Sequence, residues 1–372
     1  MAKIKIGITG HNGFLGTHLK NQLNFKYDTY QIISFERSFF ETPNQLQQFV
    51  RQCDIIIHLA GLNRHHSPEV IYDTNLALSL KLNEALVATA FDGQLIFASS
   101  LHEAQNSPYG RSKKEANRIF AQSAEKAHYS YTGLIIPNIF GPFGKPYYNS
   151  FITTFCDCLI QNKAPAIQDN MVDLIYVDAV IETIIHSFGV EGIQINKIPH
   201  QISISVKEVW ELLLYYKQTY FEKGEVPNLS HGFELSLFNT FRSAMVVDSY
   251  FPRPYKVHSD DRGHFVELIR EISGGQTSFS VTRPGVTRGN HFHTRKVERF
   301  SVIQGEAEIC IRKIGGQEVK KFYLNGDCPA YVDMPIWYTH NITNIGHDDL
   351  ITVFWINEPF NSEDADTYME KV

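Results

Sequence analysis

The sequence predicts two domains of different class: an α/β domain on a doubly wound parallel sheet over residues 1–244, then an all-β barrel of jelly-roll kind over 245–372. Two observations predict it. In the first half, short β-rich runs alternate with longer helical stretches, which argues for parallel strands joined by right-handed crossovers. From near residue 245 the helical stretches stop, and short β-type runs follow one another between glycine-rich turns.

Residues 3–9 read as a strand, 14–23 as a helix, 31–35 as a strand and 54–60 as a buried strand. A helix over 76–90, a strand over 94–99, a helix from about 109 to 126 and a strand over 132–136 continue the alternation. The amphipathic stretch 206–217 reads as one more helix of the same domain. In the second half the β-type runs are 265–269, 277–282, 299–303, 307–312, 320–324, 330–332 and 350–354. Ser273-Gly274-Gly275, Ile314-Gly315-Gly316 and Asn325-Gly326-Asp327 break them. The division is expected at 243–254, where Pro252 and Pro254 would stiffen a linker.

A chain of 372 residues with 43% hydrophobic and 20% charged residues has material for two cores. The net charge of -6, from 34 basic and 40 acidic residues without a basic run, argues against nucleic-acid or anionic-membrane binding. No apolar stretch is long enough to cross a bilayer, and the N-terminus runs into strand without a signal-peptide core. Five cysteines, an odd count without a Cys-x-x-Cys pair, point to reduced thiols in a cytoplasmic protein.

Thr9-Gly10-His11-Asn12-Gly13-Phe14-Leu15-Gly16 stands between the first strand and the first helix. Glycines at 10, 13 and 16 permit a tight turn, close approach of a pyrophosphate and close helix–strand packing. Phosphates would then sit on the free N–H groups of the helix start. Tyr109 precedes Lys113 by four residues, so both project from one helix face. Ser99 and Ser100 lie at the end of the preceding strand, where open α/β sheets place ligands.

These pieces, with His58-Leu59-Ala60-Gly61, Tyr109-Gly110-Arg111-Ser112-Lys113, Pro137-Asn138-Ile139-Phe140-Gly141-Pro142 and Tyr176-Val177-Asp178, resemble the extended short-chain dehydrogenase/reductase family, a Rossmann-type fold. The resemblance implies that Gly10, Asn12, Gly13, Phe14, Leu15, Gly16, Leu59, Ala60 and Gly61 cradle a nicotinamide dinucleotide. It implies that Tyr109 gives a proton to a sugar carbonyl during hydride transfer. Lys113 would hold the nicotinamide ribose and lower the tyrosine pKa, and Ser100, or else Ser99, would bond the substrate oxygen. The chain departs from the family at Ile136, where an arginine is usual. Glu36, 20 residues beyond Gly16, suits the ribose of NADH, whereas Arg37 suits the 2′-phosphate of NADPH. The arginine and a biosynthetic reduction favour NADPH.

In the second half His291 and His293 alternate along a strand and share a face, Glu298 returns from the next turn or strand, and His340 lies much later. Three imidazoles and a carboxylate fill part of one metal's coordination sphere and leave a position open. The spacing from Gly285 through His291, His293 and Glu298 to Gly305, with Gly326, Pro335, His340 and Asn344 after it, resembles the two cupin motifs. Trp337 stands where that family commonly has glycine. The metal expected is zinc, because isomerisation calls for a Lewis acid without redox change, with iron, manganese or nickel as alternatives. The segments 261–267 and 285–291 also resemble the metal-free nucleotide-sugar 4-keto 3,5-epimerases, in which the histidine aligned with His291 is the base. A metal on His291 would pass that role to another group.

Reductase followed by cupin, together with Gly61-Leu62-Asn63-Arg64 and Asp366-Thr367-Tyr368, resembles bifunctional enzymes of capsular polysaccharide synthesis along the whole chain. That resemblance implies a UDP-linked 2-acetamido-2,6-dideoxy-4-ketohexose as substrate. The cupin would epimerise it beside the ketone. The first domain would reduce the ketone with NADPH, toward a UDP-N-acetyl-L-talosamine-type sugar on the route to UDP-N-acetyl-L-fucosamine. It also implies a homodimer. The alternative is a single-activity reductase or epimerase whose cupin only dimerises or binds sugar.

Overall fold

The computed structural model describes residues 3–148, 150–229, 232–261, 263–271 and 274–372. The chain divides into two compact units, Met1–Thr154 with Ala166–Val209, and Phe155–Pro165 with Trp210–Val372.

In the first unit β1 (Ile4–Thr9), α1 (Phe14–Lys26), β2 (Tyr30–Ile33), α2 (Pro43–Arg51), β3 (Ile55–His58), α3 (Pro68–Ala88), β4 (Gln94–Ser100), α4 (Pro108–Ala127) and β5 (Ser130–Ile136) alternate as expected. Next along the chain come β6 (Asn138–Phe140), α5 (Phe151–Ile160), β7 (Met171–Tyr176), α6 (Val177–His186), β8 (Ile193–Lys197), β9 (Ile202–Ser205) and α7 (Val206–Tyr216), with α5 from Phe155 and α7 from Trp210 belonging to the second unit. The parallel sheet runs β2-β1-β3-β4-β5-β8, and β6, β7 and β9 form a small second sheet. The order reverses between β1 and β3, so a crevice opens beyond their carboxyl ends.

Isoleucine-rich strands suit this sheet because both faces are covered. Ile6, Ile8, Ile56 and Ile57 are buried, and Leu82, Ala85 and Leu86 of α3 pack with Ala116, Phe120 and Ala124 of α4 in one core. Pro108 starts α4, Ser107 Oγ accepts from Gly110 N to cap it, and His128 ends it in a left-handed conformation.

The second unit continues with α8 (Gly232–Arg242) and α9 (Val247–Tyr250), then β10 (Arg253–Pro254), β11 (Val257–Asp260), β12 (Gly263–Val266), β13 (Gln276–Thr282) and β14 (Thr287–Phe292). It ends with β15 (Glu298–Gln304), β16 (Glu306–Lys313), β17 (Val319–Asn325), β18 (Ala330–Met334), β19 (Tyr338–Asn344), β20 (Leu350–Ile356) and β21 (Tyr368–Met369). Two antiparallel five-stranded sheets, β10-β18-β15-β20-β13 and β17-β16-β19-β14-β21, make the barrel. Phe300 of one meets His340 of the other, ring centroids 5.7 Å apart.

The compact units do not divide at 243–254. Residues 253–254 form β10, paired with β18 in the barrel sheet, rather than a linker. The stretch 206–217 is helical as expected, but from Trp210 onward it belongs with the barrel unit. The cause is packing. Tyr220 donates to Asp333 Oδ2 at 2.6 Å, Arg242 Nη2 to Met334 O at 3.0 Å and Asn239 Nδ2 to Arg295 O at 2.8 Å. Phe238 and Phe241 are fully buried in the same unit. Helical periodicity identifies a helix without saying which core its apolar face joins.

Among the described residues no helix is long and apolar enough to cross a membrane. Cys53, Cys156, Cys158 and Cys310 are buried, and Cys328 is exposed.

Candidate functional site

The glycine turn lies between β1 and α1, as the spacing requires. Gly10 has φ +77°, and a Cβ there would stand 2.7 Å from Ala60 N. A Cβ on Gly16 would stand 2.4 Å from Gly10 O, so only glycine lets the helix approach the turn. Gly13 is the N-cap of α1 and offers no side chain to the helix start, which leaves the first turn, Phe14 and Leu15 included, open to an anion. Asn12 stands in the same turn. This cradle fits a dinucleotide pyrophosphate.

Leu59, Ala60 and Gly61 follow β3 across the crevice. Leu59 N donates to Thr9 O at 3.1 Å, and Ala60 N to Thr9 Oγ1 at 3.4 Å. Asn75 of α3, buried, accepts from Leu62 N at 2.6 Å and donates to Leu62 O at 3.0 Å and Ser112 Oγ at 3.3 Å. It ties the cradle loop to α4. Sequence reasoning missed it, because a single asparagine in an apolar helix pattern carries no spacing signal.

Ser100 ends β4, Tyr109 opens α4 and Lys113 lies one turn on. Ser100 hydrogen-bonds the Tyr109 side chain. Ser99 is committed elsewhere: its hydroxyl donates to Glu103 Oε2 at 2.6 Å, and Asn117 Nδ2 donates to the same oxygen at 3.2 Å. Of the two serines, Ser100 is therefore the one that stands with Tyr109. Lys113 is buried, with Nζ donating to Ala98 O at 2.8 Å and lying 5.8 Å from the Tyr109 ring centroid. Burial pushes its pKa down to about 8.

The expectation that Lys113 lowers the tyrosine pKa needs correction. Burial pushes Tyr109 up to about 12, opposed by its hydrogen bond with Ser100. The hydroxyl keeps its proton. Beneath the pair, His58 is held at Thr9 Oγ1, 2.7 Å from Nδ1, and burial and then Lys113 push its pKa down to about 3. A neutral imidazole there spares Lys113 a second buried charge.

Glu36 and Arg37 are both exposed just after β2. Ser38 Oγ donates to Glu36 at 3.4 Å. Ile136 is buried at the end of β5, closed to a polar substrate contact.

In the barrel His291, His293, Glu298 and His340 come together, one ligand atom from each within 4.8 Å of the others. His291 pairs directly with His340 in the β14–β19 register, and a bulge between Gly289 and His291 sets its direction. Asn290, at the bulge, has φ 62°. Phe292 turns away into the core, and His293 follows just past the strand end. Glu298 opens β15, with Oε2 lying 3.2 Å from His293 Nε2 and 3.3 Å from His340 Nε2.

His340 Nε2 is buried and makes no hydrogen bond, although its Nδ1 lies 3.1 Å from Tyr338 O. An orphaned imidazole nitrogen facing a carboxylate and two more imidazoles fits a metal ion. Burial opposes charge on Glu298, but its bond to His293 and the His340 ring close beside it hold its pKa far below the carboxylate range. Burial, with His340 and His293, pushes His291 down to about 4, so its imidazole is neutral and ready to ligate.

Trp337 occupies its unusual place at φ 60°, the conformation that explains glycine there in cupins. Its ring is buried, 5.4 Å from Phe292, and its backbone N–H donates to His293 O at 2.8 Å. Trp337 is thus tied to the backbone of His293. Asp366, quoted in the sequence only as part of a closing motif, is buried beside His293. Arg262 lies outside the described residues.

Comparison with known proteins agrees with this geometry. Residues 6–191 match the NAD dependent epimerase/dehydratase family, and residues 258–368 match the polysaccharide biosynthesis C-terminal domain. The chain is 32% identical over 371 residues to the UDP-2-acetamido-2,6-beta-L-arabino-hexul-4-ose reductase of Pseudomonas aeruginosa, covering 98% of each. Among solved structures it is similar to the capsular polysaccharide assembling protein CapF from Staphylococcus aureus, with 31% identity and a TM-score of 0.63, over 99% of this chain and 100% of that one. RMD from Pseudomonas aeruginosa, solved with NADPH, shares the fold at 20% identity and a TM-score of 0.51, over 58% of this chain and 84% of that one. The chain belongs to the NAD dependent epimerase/dehydratase family, among members that carry a polysaccharide biosynthesis C-terminal domain.

Proposed function

We propose that the chain is a bifunctional nucleotide-sugar enzyme whose substrate is a UDP-linked 2-acetamido-2,6-dideoxy-4-ketohexose. The barrel epimerises the carbon beside the ketone, and the first domain (residues 1–244 in the sequence reading) reduces the ketone with NADPH. The product is a UDP-N-acetyl-L-talosamine-type sugar, and the working form is a homodimer. One observation carries the reading. A complete Ser100–Tyr109–Lys113 set and a complete four-ligand cluster stand in one chain that is similar along its whole length to a nucleotide-sugar reductase.

The nicotinamide cofactor, when bound, supplies the hydride. Gly10, Gly13 and Gly16 leave room for its phosphates, and Arg37, exposed after β2, would take a 2′-phosphate. Ser100 orients the Tyr109 hydroxyl, which retains its proton until an alkoxide develops on the sugar. Lys113 brings a positive charge beneath that hydroxyl, where the developing negative charge needs it.

His291, His293, Glu298 and His340 would hold a divalent metal, zinc being favoured because the isomerisation involves no redox change. When bound, the metal supplies positive charge beside the ketone oxygen, which acidifies the neighbouring C–H. Glu298 and the buried histidines keep that site dry and fixed.

Proton NMR of the UDP-4-keto sugar with the protein in heavy water tests both steps. Deuterium should enter beside the ketone without NADPH, and the ketone should disappear once NADPH is added. Reduction without any exchange would leave the barrel a binding or assembly module and overturn the bifunctional reading.

A further inference from the structure

We propose that Asp366 is the positioning residue of the metal cluster, fixing the tautomer of His293 with its carbonyl and the ligand-bearing turn with its carboxylate. The inference rests on the metal reading above.

The carbonyl oxygen of Asp366 lies 2.6 Å from His293 Nδ1. A carbonyl only accepts, so Nδ1 carries the proton. Nε2, the nitrogen facing Glu298, is then the one free to ligate. In metal sites such partners of a histidine orient the ring and raise its basicity.

The carboxylate of Asp366 closes the other half of the clamp. It accepts from Thr294 N at 3.1 Å, Thr294 Oγ1 at 2.6 Å, Arg295 N at 2.9 Å and Lys296 N at 3.1 Å. Three successive backbone N–H groups and one hydroxyl thus converge on one buried anion. The turn they belong to joins His293 to Glu298, two of the four ligands. Lys296 Nζ reaches back to Ala365 O at 2.7 Å, and Arg295 Nη1 to Asp364 Oδ1 at 3.0 Å, so turn and strap grip each other.

Asp366 itself has φ 41°, an uncommon conformation for a residue with a side chain. That strain is maintained by the bonds on both its carbonyl and its carboxylate.

Zinc affinity, measured against a competing chelator, and nitrogen-15 NMR of the histidine rings test the proposal in the full chain. Asp366→Asn retains the shape but cannot accept all four bonds. Asp366→Gly suits the backbone and removes the carboxylate alone. Both should bind zinc about 10- to 100-fold more weakly, and Thr294→Val should show a smaller loss in the same direction. In wild type the His293 ring should carry its proton on Nδ1, and in the Asp366 variants, where loss of the carboxylate frees the strap and its carbonyl drifts from the ring, that signature should weaken.

Zinc affinity within twofold of wild type in both Asp366→Asn and Thr294→Val would overturn the proposal, as would a wild-type ring protonated on Nε2. If the Asp366 variants do not fold, Thr294→Val and the wild-type ring spectrum decide it alone. His293→Ala separates the two levels. Equal zinc in that variant would sink the metal reading, whereas loss there without loss in the Asp366 variants would sink only this inference.

Discussion

Tyr220 donates its hydroxyl to Asp333 Oδ2 at 2.6 Å, across 113 residues of chain, and completes a buried ion pair. Arg299 holds the other side of Asp333 with Nε to Oδ1 at 2.7 Å and Nη2 to Oδ2 at 3.0 Å. Asp333 and Arg299 are 1% and 3% exposed, so every bond to them replaces lost water. Removing one partner of a buried charge network typically costs about 3–5 kcal/mol.

A fragment beginning at Met245 therefore loses Tyr220 as well as Arg242 and its bond to Met334 O. It should aggregate or melt without cooperativity, whereas a fragment beginning at Trp210 should unfold in one transition by circular dichroism. Equal melting temperatures for the two would show that residues 210–244 are dispensable to the barrel.

Tyr109→Phe should lower the rate of NADPH oxidation by about a hundredfold or more, the usual cost of losing a general acid. Deuterium exchange beside the ketone should continue at the wild-type rate. Near-normal NADPH turnover would remove the tyrosine from the mechanism.

Ser100→Ala and Ser99→Ala should separate. The first takes away the hydroxyl that bonds Tyr109 and should reduce turnover while leaving the melting temperature unchanged. The second strips a bond from Glu103 and should cost about 1–3 kcal/mol of stability. Steady-state kinetics and urea unfolding on both variants would expose a reversed assignment.

Lys113 gives the reaction an alkaline limit. Its pKa of about 8 keeps it charged below that pH and neutral above it, so reduction should fall as pH rises through about 8, while Tyr109 retains its proton to about 12. Stability moves the other way. The unfolded lysine, with an ordinary value of 10.5, binds more protons than the folded one between about 8 and 10.5, so this residue adds stability as pH rises through that window. Lys113→Met should flatten that rise in denaturant titrations at several pH values. A wild-type rate that is level to pH 10 would contradict the assignment.

The first site was legible because its parts are short-range patterns: glycines on a strand–turn–helix, and Tyr109 and Lys113 one helical turn apart. The gathering of His291, His293 and Glu298 was legible for a similar reason, since the two histidines alternate and Glu298 returns five residues later. What was not legible depends on partners distant in sequence. Asn75 acts through Leu62 and Ser112, and Asp366 through residues 293–296, and neither leaves a periodic trace. The helix start at Val206 was readable, but its allegiance past Trp210 was decided by Tyr220 and Asp333, one on each side of the expected linker. The tyrosine pKa was misjudged because burial, which a sequence does not display, is the largest influence on it and outweighs the opposing hydrogen bond with Ser100.

Strand β14, which bears His291, has β19 on one side and β21 on the other, with His291 opposite Met369 and Phe292 opposite Tyr368. The Tyr368 ring stacks on Phe292 at 5.3 Å. Every residue of the proposed metal site precedes β21 in the chain, while the hold on His293 comes from Asp366 just before it. A protease cut between Phe360 and Asp366 would therefore leave all four side chains in place and still loosen the site, because what it removes is the brace and not a ligand.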